Sequence, residues 1–381
     1  MFKKLIVLMV WMICLVPAHA ASRVLGDDTT INGFTFKEDT ALEYDLKSGE
    51  VDNGILAAEA KVGDVVVPAG SKIYFQGGQL RRVELSKNVF FHGIEFTGTL
   101  SFVGSCLERG KLSHDVEIGG IKFTSFTDNS DIVFYASGKV KEGYLAEDTK
   151  INGLVFKKKA VVETMLGLGS WRSGTLFDEN GAVMLSVLAY PQKINGIKFM
   201  GQIEFYKGGK VKEGVLAGDD PVIHGFSSVT GSRISFYWSG NIESFFSKAS
   251  LEFNGIKFKP LSEITLYESG KIKHGLLAEE TKIGGAILAA NDGDDTGCTH
   301  YIDSTSFYEN GNVAMGRLAS SPQKVDGIYF KGIIGFSPAG KPYGLLPWDQ
   351  EINGQQFKAD DVIRIDDQGK PVKDNNRWMF Y

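Results

Sequence analysis

The feature that most constrains this chain is its internal repetition, which dominates everything after residue 30. One element reads Ile-Asn-Gly-x-x-Phe. It stands as INGFTF (31–36), INGLVF (151–156), INGIKF (194–199) and FNGIKF (253–258), with looser copies IGGIKF (118–123), VDGIYF (325–330) and INGQQF (352–357). A second element reads Ile-x-Phe-Tyr-x-Ser-Gly-Lys-Val-x-x-Gly-x-Leu-Ala, with its clearest copies starting at Ile132, Ile203 and Ile264 and degenerate ones at Ile234 and Thr305. The glycines assigned to its turn are 49, 78, 110, 138, 181, 209, 240, 270, 311, 340 and 369. A fixed period of this size means a repeat array, in which each unit buries its apolar face only against its neighbours.

The spacing has a second level. Most turn glycines lie about 30 residues apart, and two longer gaps carry inserts. Gly49, Gly181 and Gly311 share a period near 130, as do Gly78, Gly209 and Gly340. The fourth units match best, FYASGKVKEGYLAEDTKING from Phe134 against LYESGKIKHGLLAEETKIGG from Leu266. The runs PQKINGIKF and PQKVDGIYF also match. A four-unit block has been duplicated. The expected organisation is a leader (1–20), module 1 (21–157), module 2 (158–289) and a partly degenerate three-unit module 3 (290–381).

Within a unit, Ile132 and Phe134 alternate onto one face and run into Ser137-Gly138. Period-two β-branched and aromatic residues ending in a Gly turn predict a strand and a hairpin. Gly138 supplies the left-handed conformation such a turn needs. Val140 and Leu145 mark the return strand, Asp148-Thr149 a second turn, and Ile151-Asn152-Gly153 a third turn or a bulge. Helical periodicity is nearly absent. The chain holds 46 Gly against 10 Pro, a balance that favours tight turns over flexible linkers. The expected fold class is all-β, a repeat protein of consecutive antiparallel hairpins forming an elongated sheet or ribbon. A β-propeller or β-helix could use the same unit length. The last copy has Ile365-Asp366 where the consensus has Phe-Tyr, as befits a terminal cap.

The Phe-Tyr-x-Ser-Gly-Lys-Val-x-x-Gly half of the unit resembles the MORN-like hairpin repeats of bacterial proteins. The match covers about half of each unit along most of the chain. The Ile-Asn-Gly element, the period near 30 and the missing second aromatic depart from that pattern. The resemblance implies antiparallel sheets used for binding or scaffolding.

The first residues read as an address. Lys3 and Lys4 precede an apolar run from Leu5 to Val16, then Pro17 and Ala18-His19-Ala20. This pattern predicts a secretory signal peptide cleaved after Ala20, too short to span a membrane as a helix. Export to the periplasm, cell surface or medium is expected, with no membrane span after cleavage. The net charge of −5 argues against general affinity for nucleic acid.

Candidate sites are few. Tyr135, Tyr206, Tyr237, Tyr267 and Tyr308 each follow the core position of a hairpin, so alternation puts them on the opposite face. A repeated aromatic face suits a polysaccharide or protein partner at the cell envelope. The insert 291–297 places oxygen ligands at Asp292, Asp294 and Thr296, then Gly297 at position six and Asp303 at position twelve, the pattern of a calcium loop. No flanking helix accompanies it, and Asp replaces Glu at position twelve. Ca²⁺ is the cofactor such a loop would take. Cys106 is expected at a core position as a buried thiol and Cys298 in the insert. Catalytic signatures are missing: His92, His114, His224, His274 and His300 show no metal-ligand spacing, and there is no Gly-x-Ser-x-Gly, P-loop or Cys-x-x-Cys. The leading expectation is a non-enzymatic exported binding module. An outer-membrane β-barrel and a calcium-stabilised adhesin are the alternatives. Spanning strands of about 9–11 alternating residues fit poorly with interruptions such as Lys139-Val140-Lys141-Glu142-Gly143.

Overall fold

A computed structural model describes residues 21–127, 130–166, 169–218, 221–290, 304–366 and 368–374. They are all-β, in consecutive antiparallel hairpins. The chain forms two compact units, residues 1–149 with 158–181, and 150–157 with 182–381. In the first, sheet pairing runs hairpin to hairpin from Ala21–Val24 to Thr175–Phe177; in the second it runs from Val183–Val187 to Pro371–Asp374. Among the described residues no pairing returns from the last strand of a unit to its first, so neither row closes as a barrel.

Each repeat contains two hairpins. In the repeat at Gln192, the strand Gln192–Ile194 pairs with the start of Ile197–Phe205, Gln192 opposite Phe199 and Ile194 opposite Ile197. The two-residue turn is Asn195-Gly196, with φ of 50° and 90°. Both values are positive, as a type I′ turn requires, and this is the turn whose twist matches its strands. The Ile-Asn-Gly element, expected as a turn or bulge, is therefore a small hairpin of its own. His92 and His224 take the same left-handed position before Gly93 and Gly225.

The second hairpin continues from the first. Ile197–Phe205 pairs with Val211–Leu216, Ile203 opposite Gly214 and Phe205 opposite Val211, with a bulge between Glu204 and Phe205. At its tip the Tyr206 N–H donates to the Lys210 carbonyl at 2.8 Å and the Gly209 N–H to the Tyr206 carbonyl at 3.0 Å. This is a three-residue loop closed by a left-handed glycine. Gly214 then pairs with Ile234 of the next repeat. Phe199, Ile203, Phe205 and Leu216 point to one face and are buried.

Gly214 exemplifies an inner glycine. A Cβ there would sit 2.7 Å from Phe199 Cδ1, so the ring lies flat on the backbone of the opposite strand. Gly54 under Phe36, Gly110 under Phe96, Gly143 under Phe123 and Gly275 under Phe258 repeat the contact at 2.6–2.7 Å. One seam inverts it. Where Phe258 and Gly275 stand in one repeat, Ser228 and Phe245 stand in the preceding one, so the buried ring comes from the other strand.

Gly110 corrects the turn assignment. It lies in the strand Cys106–Leu112, opposite Leu100 and Ile132, while the tip of that hairpin is Gly104-Ser105 between Val103 and Cys106. Arg109-Gly110-Lys111 imitates the Ser-Gly-Lys of a tip, but the glycine is needed under Phe96. The shift also overturns the expected burial of Cys106. It sits beside the tip and is exposed, and Leu107 takes the inward position.

Candidate binding site

The five candidate tyrosines form one device. Each follows the buried residue that closes its hairpin, and its ring is half-buried. Each hydroxyl donates to the carbonyl of the corresponding buried residue one hairpin on. Tyr135 reaches Phe177 at 2.7 Å; Tyr206 reaches Phe236, Tyr237 reaches Leu266, Tyr267 reaches Phe307 and Tyr308 reaches Phe336, all at 2.8 Å. Burial pushes all five hydroxyls above the ordinary tyrosine range, which keeps them neutral and donating. The Lys141 ammonium lies 5.8 Å from the Tyr135 ring centre and that of Lys273 5.7 Å from Tyr267. The row does lie on the face opposite the buried Phe residues, but its hydroxyls are used between repeats.

A parallel row of bonds runs through the tips. At five tips the residue after the glycine donates to a tip carbonyl of the following hairpin: Lys139 to Glu179 at 2.8 Å, Lys210 to Trp238 at 3.1 Å, Asn241 to Glu268 at 2.8 Å, Lys271 to Glu309 at 2.8 Å and Asn312 to Pro338 at 3.0 Å. Where the tyrosine position holds Asp, the side chain turns inward to its own tip. Asp45 accepts from the N–H groups of Lys47 and Ser48, Asp178 from that of Asn180, and Asp366 from those of Gln368 and Lys370. The N–H groups of Ser48 and Lys47 hold the Asp45 carboxyl below the usual carboxylate range.

A third row was not read from the sequence. Gln192 uses both ends of its amide on Val155, accepting from its N–H at 2.9 Å and donating to its carbonyl at 2.6 Å. Gln323 does the same to Ile287, at 2.5 and 3.1 Å, and Gln350 to Tyr329, at 3.0 and 2.8 Å. Each glutamine acts as one more strand residue for the small hairpin of the preceding repeat. The matching PQK runs carried two of the three, but nothing in them pointed to a backbone partner.

Phe90 is an exposed ring of the first unit, and further open surface features lie in the second. Tyr190, Trp238 and Trp348 are exposed, and the Trp348 ring lies 5.2 Å from that of Tyr329. An open cleft of about 210 Å³ is lined by Ile194, Ile197, Phe199, Val211 and Phe236, with Asn195, Lys210, His224 and Ser239 around it. The same seam two repeats on, lined by Phe253, Asn254, Ile256, Phe258, Ile272, Phe307 and Gly311, is reduced to about 10 Å³. On the sheet face, His274 sits in a cross-strand row with Ser244, Thr265 and Ser306. Burial and then Lys273 push its imidazole below the ordinary range. Asp292, Asp294, Thr296, Asp303 and Cys298 all lie outside the described residues. Among the described residues no three His, Cys, Asp or Glu side chains cluster as metal ligands, and no helix is long and apolar enough to cross a membrane.

Compared with known proteins, the chain matches no protein-family model and no curated protein.

Proposed function

We propose that this chain is an exported, non-enzymatic repeat protein of the MORN-like kind that serves as a binding or scaffolding module in the periplasm or at the cell surface. The observation that carries the reading is the use of polar side chains. Tyrosine hydroxyls, tip lysines and glutamine amides join one repeat to the next, and His92 and His224 are spent as turn residues. These are investments in a stiff, regular surface. The aromatic contact to a protein or polysaccharide partner then falls to rings that project from this frame, Trp238 and the Tyr329–Trp348 pair, with the tyrosine row as their brace.

The test is sedimentation of the purified mature chain with cell-wall polysaccharide and with solubilised envelope protein. Trp238→Ala and Trp348→Ala should weaken retention at least tenfold while the melting temperature holds. Tyr237→Phe, which keeps the ring and loses only the brace, should bind like the parent. Equal binding by the tryptophan variants, or loss of binding in a folded Tyr237→Phe, overturns the assignment of contact and brace. Turnover of any polysaccharide in the same incubation overturns the non-enzymatic reading.

A further inference from the structure

The two seams described above are one position in the repeat seen twice. Ile194 corresponds to Phe253, Asn195 to Asn254, Ile197 to Ile256, Phe199 to Phe258, Val211 to Ile272, Phe236 to Phe307 and Gly240 to Gly311. In the later seam a phenylalanine at the first of these positions accompanies closure to about 10 Å³. In the earlier one the shorter isoleucine accompanies an opening of about 210 Å³. A cavity of about 150 Å³ lined by aliphatic and aromatic side chains holds benzene. The earlier seam therefore has room for one six-membered ring and a short polar arm.

The walls say what the arm carries. Phe199, Phe236 and Val211 form a buried apolar floor. Asn195, Lys210, His224 and Ser239, all exposed, line the opening, and among the described residues no carboxylate does. Lys210 is held in position: its ammonium spends one N–H on the Trp238 carbonyl at 3.1 Å and lies 5.3 Å from the Trp238 ring centre. An ammonium has three donors, so others remain for a ligand. A fixed cation above an apolar slot recognises an amphiphile of one shape, an apolar ring with an anionic end.

We propose that the seam between Ile194 and Gly240 is a binding site for a small aromatic carboxylate, its ring over Phe199 and Phe236 and its carboxylate at Lys210. This goes beyond the macromolecular contact proposed above and rests on a different observation, the unequal filling of two equivalent seams.

The test uses the full mature chain and 3-phenylpropionate as probe, followed by ligand-observed NMR and calorimetry, with uncharged 3-phenylpropanamide as its partner. The parent should bind about one equivalent of the carboxylate, and at least fivefold more tightly than the amide. Ile194→Phe, which copies the later seam, should lower affinity for both probes at least tenfold. Lys210→Gln should erase the preference for the carboxylate over the amide. Phe253→Ile should open the later seam and add a second, weaker equivalent. Far-UV circular dichroism checks each fold, and should Ile194→Phe fail to fold, Lys210→Gln and Phe253→Ile decide alone. No binding by the parent, full binding by a folded Ile194→Phe, a carboxylate preference that survives Lys210→Gln, or unchanged stoichiometry in Phe253→Ile overturns the proposal.

Discussion

The inverted seam supplies a quantitative test of how the repeats are packed. Phe258 is a fully buried ring lying on Gly275, whose added Cβ would stand 2.6 Å from Phe258 Cδ1 and 2.9 Å from Cε1. Phe258→Ser alone removes that ring, and losses of about 3–5 kcal/mol follow such truncations. Gly275→Phe alone drives a second ring into occupied space, where overpacking costs about 1–3 kcal/mol or more. Independent effects would sum to at least about 4 kcal/mol. The double variant, however, rebuilds the arrangement of Ser228 and Phe245, one ring supplied from the opposite strand. It should lose no more than about 3 kcal/mol, leaving a favourable coupling of at least ~1 kcal/mol. The residual loss has two sources. The Ser228 hydroxyl is buried without a hydrogen-bond partner among the described residues, and Phe245 rests on Phe226 at 4.9 Å, where the later repeat has only Ile256. Urea unfolding of the four proteins, followed by far-UV circular dichroism, measures the cycle; midpoints are compared alongside free energies because long repeat arrays depart from two-state unfolding. Losses that add to within about 0.5 kcal/mol would refute the idea that ring and glycine form one exchangeable unit.

Three further outcomes follow from the side-chain rows. Replacing Tyr206, Tyr237, Tyr267 and Tyr308 together by Phe removes four hydroxyl bonds at about 0.5–1.5 kcal/mol each, and urea unfolding should register a loss of about 2–6 kcal/mol; an unchanged midpoint would show the row to be ornamental. Gln323→Ala leaves the Ile287 N–H without its protein partner, while the Ile287 carbonyl keeps the Ala319 N–H, and should cost about 0.5–1.5 kcal/mol, with hydrogen exchange at Ile287 rising at least threefold; unchanged exchange there would contradict the clamp. The tyrosine row also predicts an alkaline limit. Its folded hydroxyls titrate above the unfolded value, so the folded state holds protons that the unfolded chain releases. Stability from these groups is complete below about pH 10 and falls as pH rises through their folded range. Absorbance at 295 nm should show them ionising later in the native protein than in guanidinium, and coincident curves would contradict the burial assigned to them.

The hairpin array was legible because two patterns recur along the chain, apolar alternation, most often around Phe, and a left-handed glycine at the tip. Reading failed where one residue type serves two purposes. Gly110 is followed by Lys111 just as a tip glycine is, yet its task is to make room for Phe96, and with the tip misplaced Cys106 appeared buried. The small hairpins were read only as turns because strands of three residues, such as Ile197 to Phe199 before its continuation, are too short to display a period of two. Alternation placed the tyrosine row on the outer face correctly, but it could not show where the hydroxyls go. Their acceptors are backbone carbonyls 28–42 residues away, and a carbonyl leaves no mark in the sequence. The same holds for Gln350, which lacks even the Pro-Gln-Lys setting of Gln192 and Gln323.

That all three rows end on the backbone has a consequence for how such a chain can diverge. A side-chain pair is lost when either partner changes, so an array held by pairs must keep two positions in step. Here the donor alone is fixed. The tyrosines bond equally to the carbonyls of Phe236, Leu266 and Phe336, and the glutamines to Val155, Ile287 and Tyr329. Side chains at the accepting positions are free to answer to packing or to a ligand. A duplicated block held in this way can drift on its exposed positions, and at single seam positions such as Ile194 and Phe253, while every repeat still finds its neighbour in the same register. The unequal filling of two otherwise equivalent seams is the kind of difference this freedom permits, because exchanging Ile for Phe there alters the space between repeats without touching any bond that joins them.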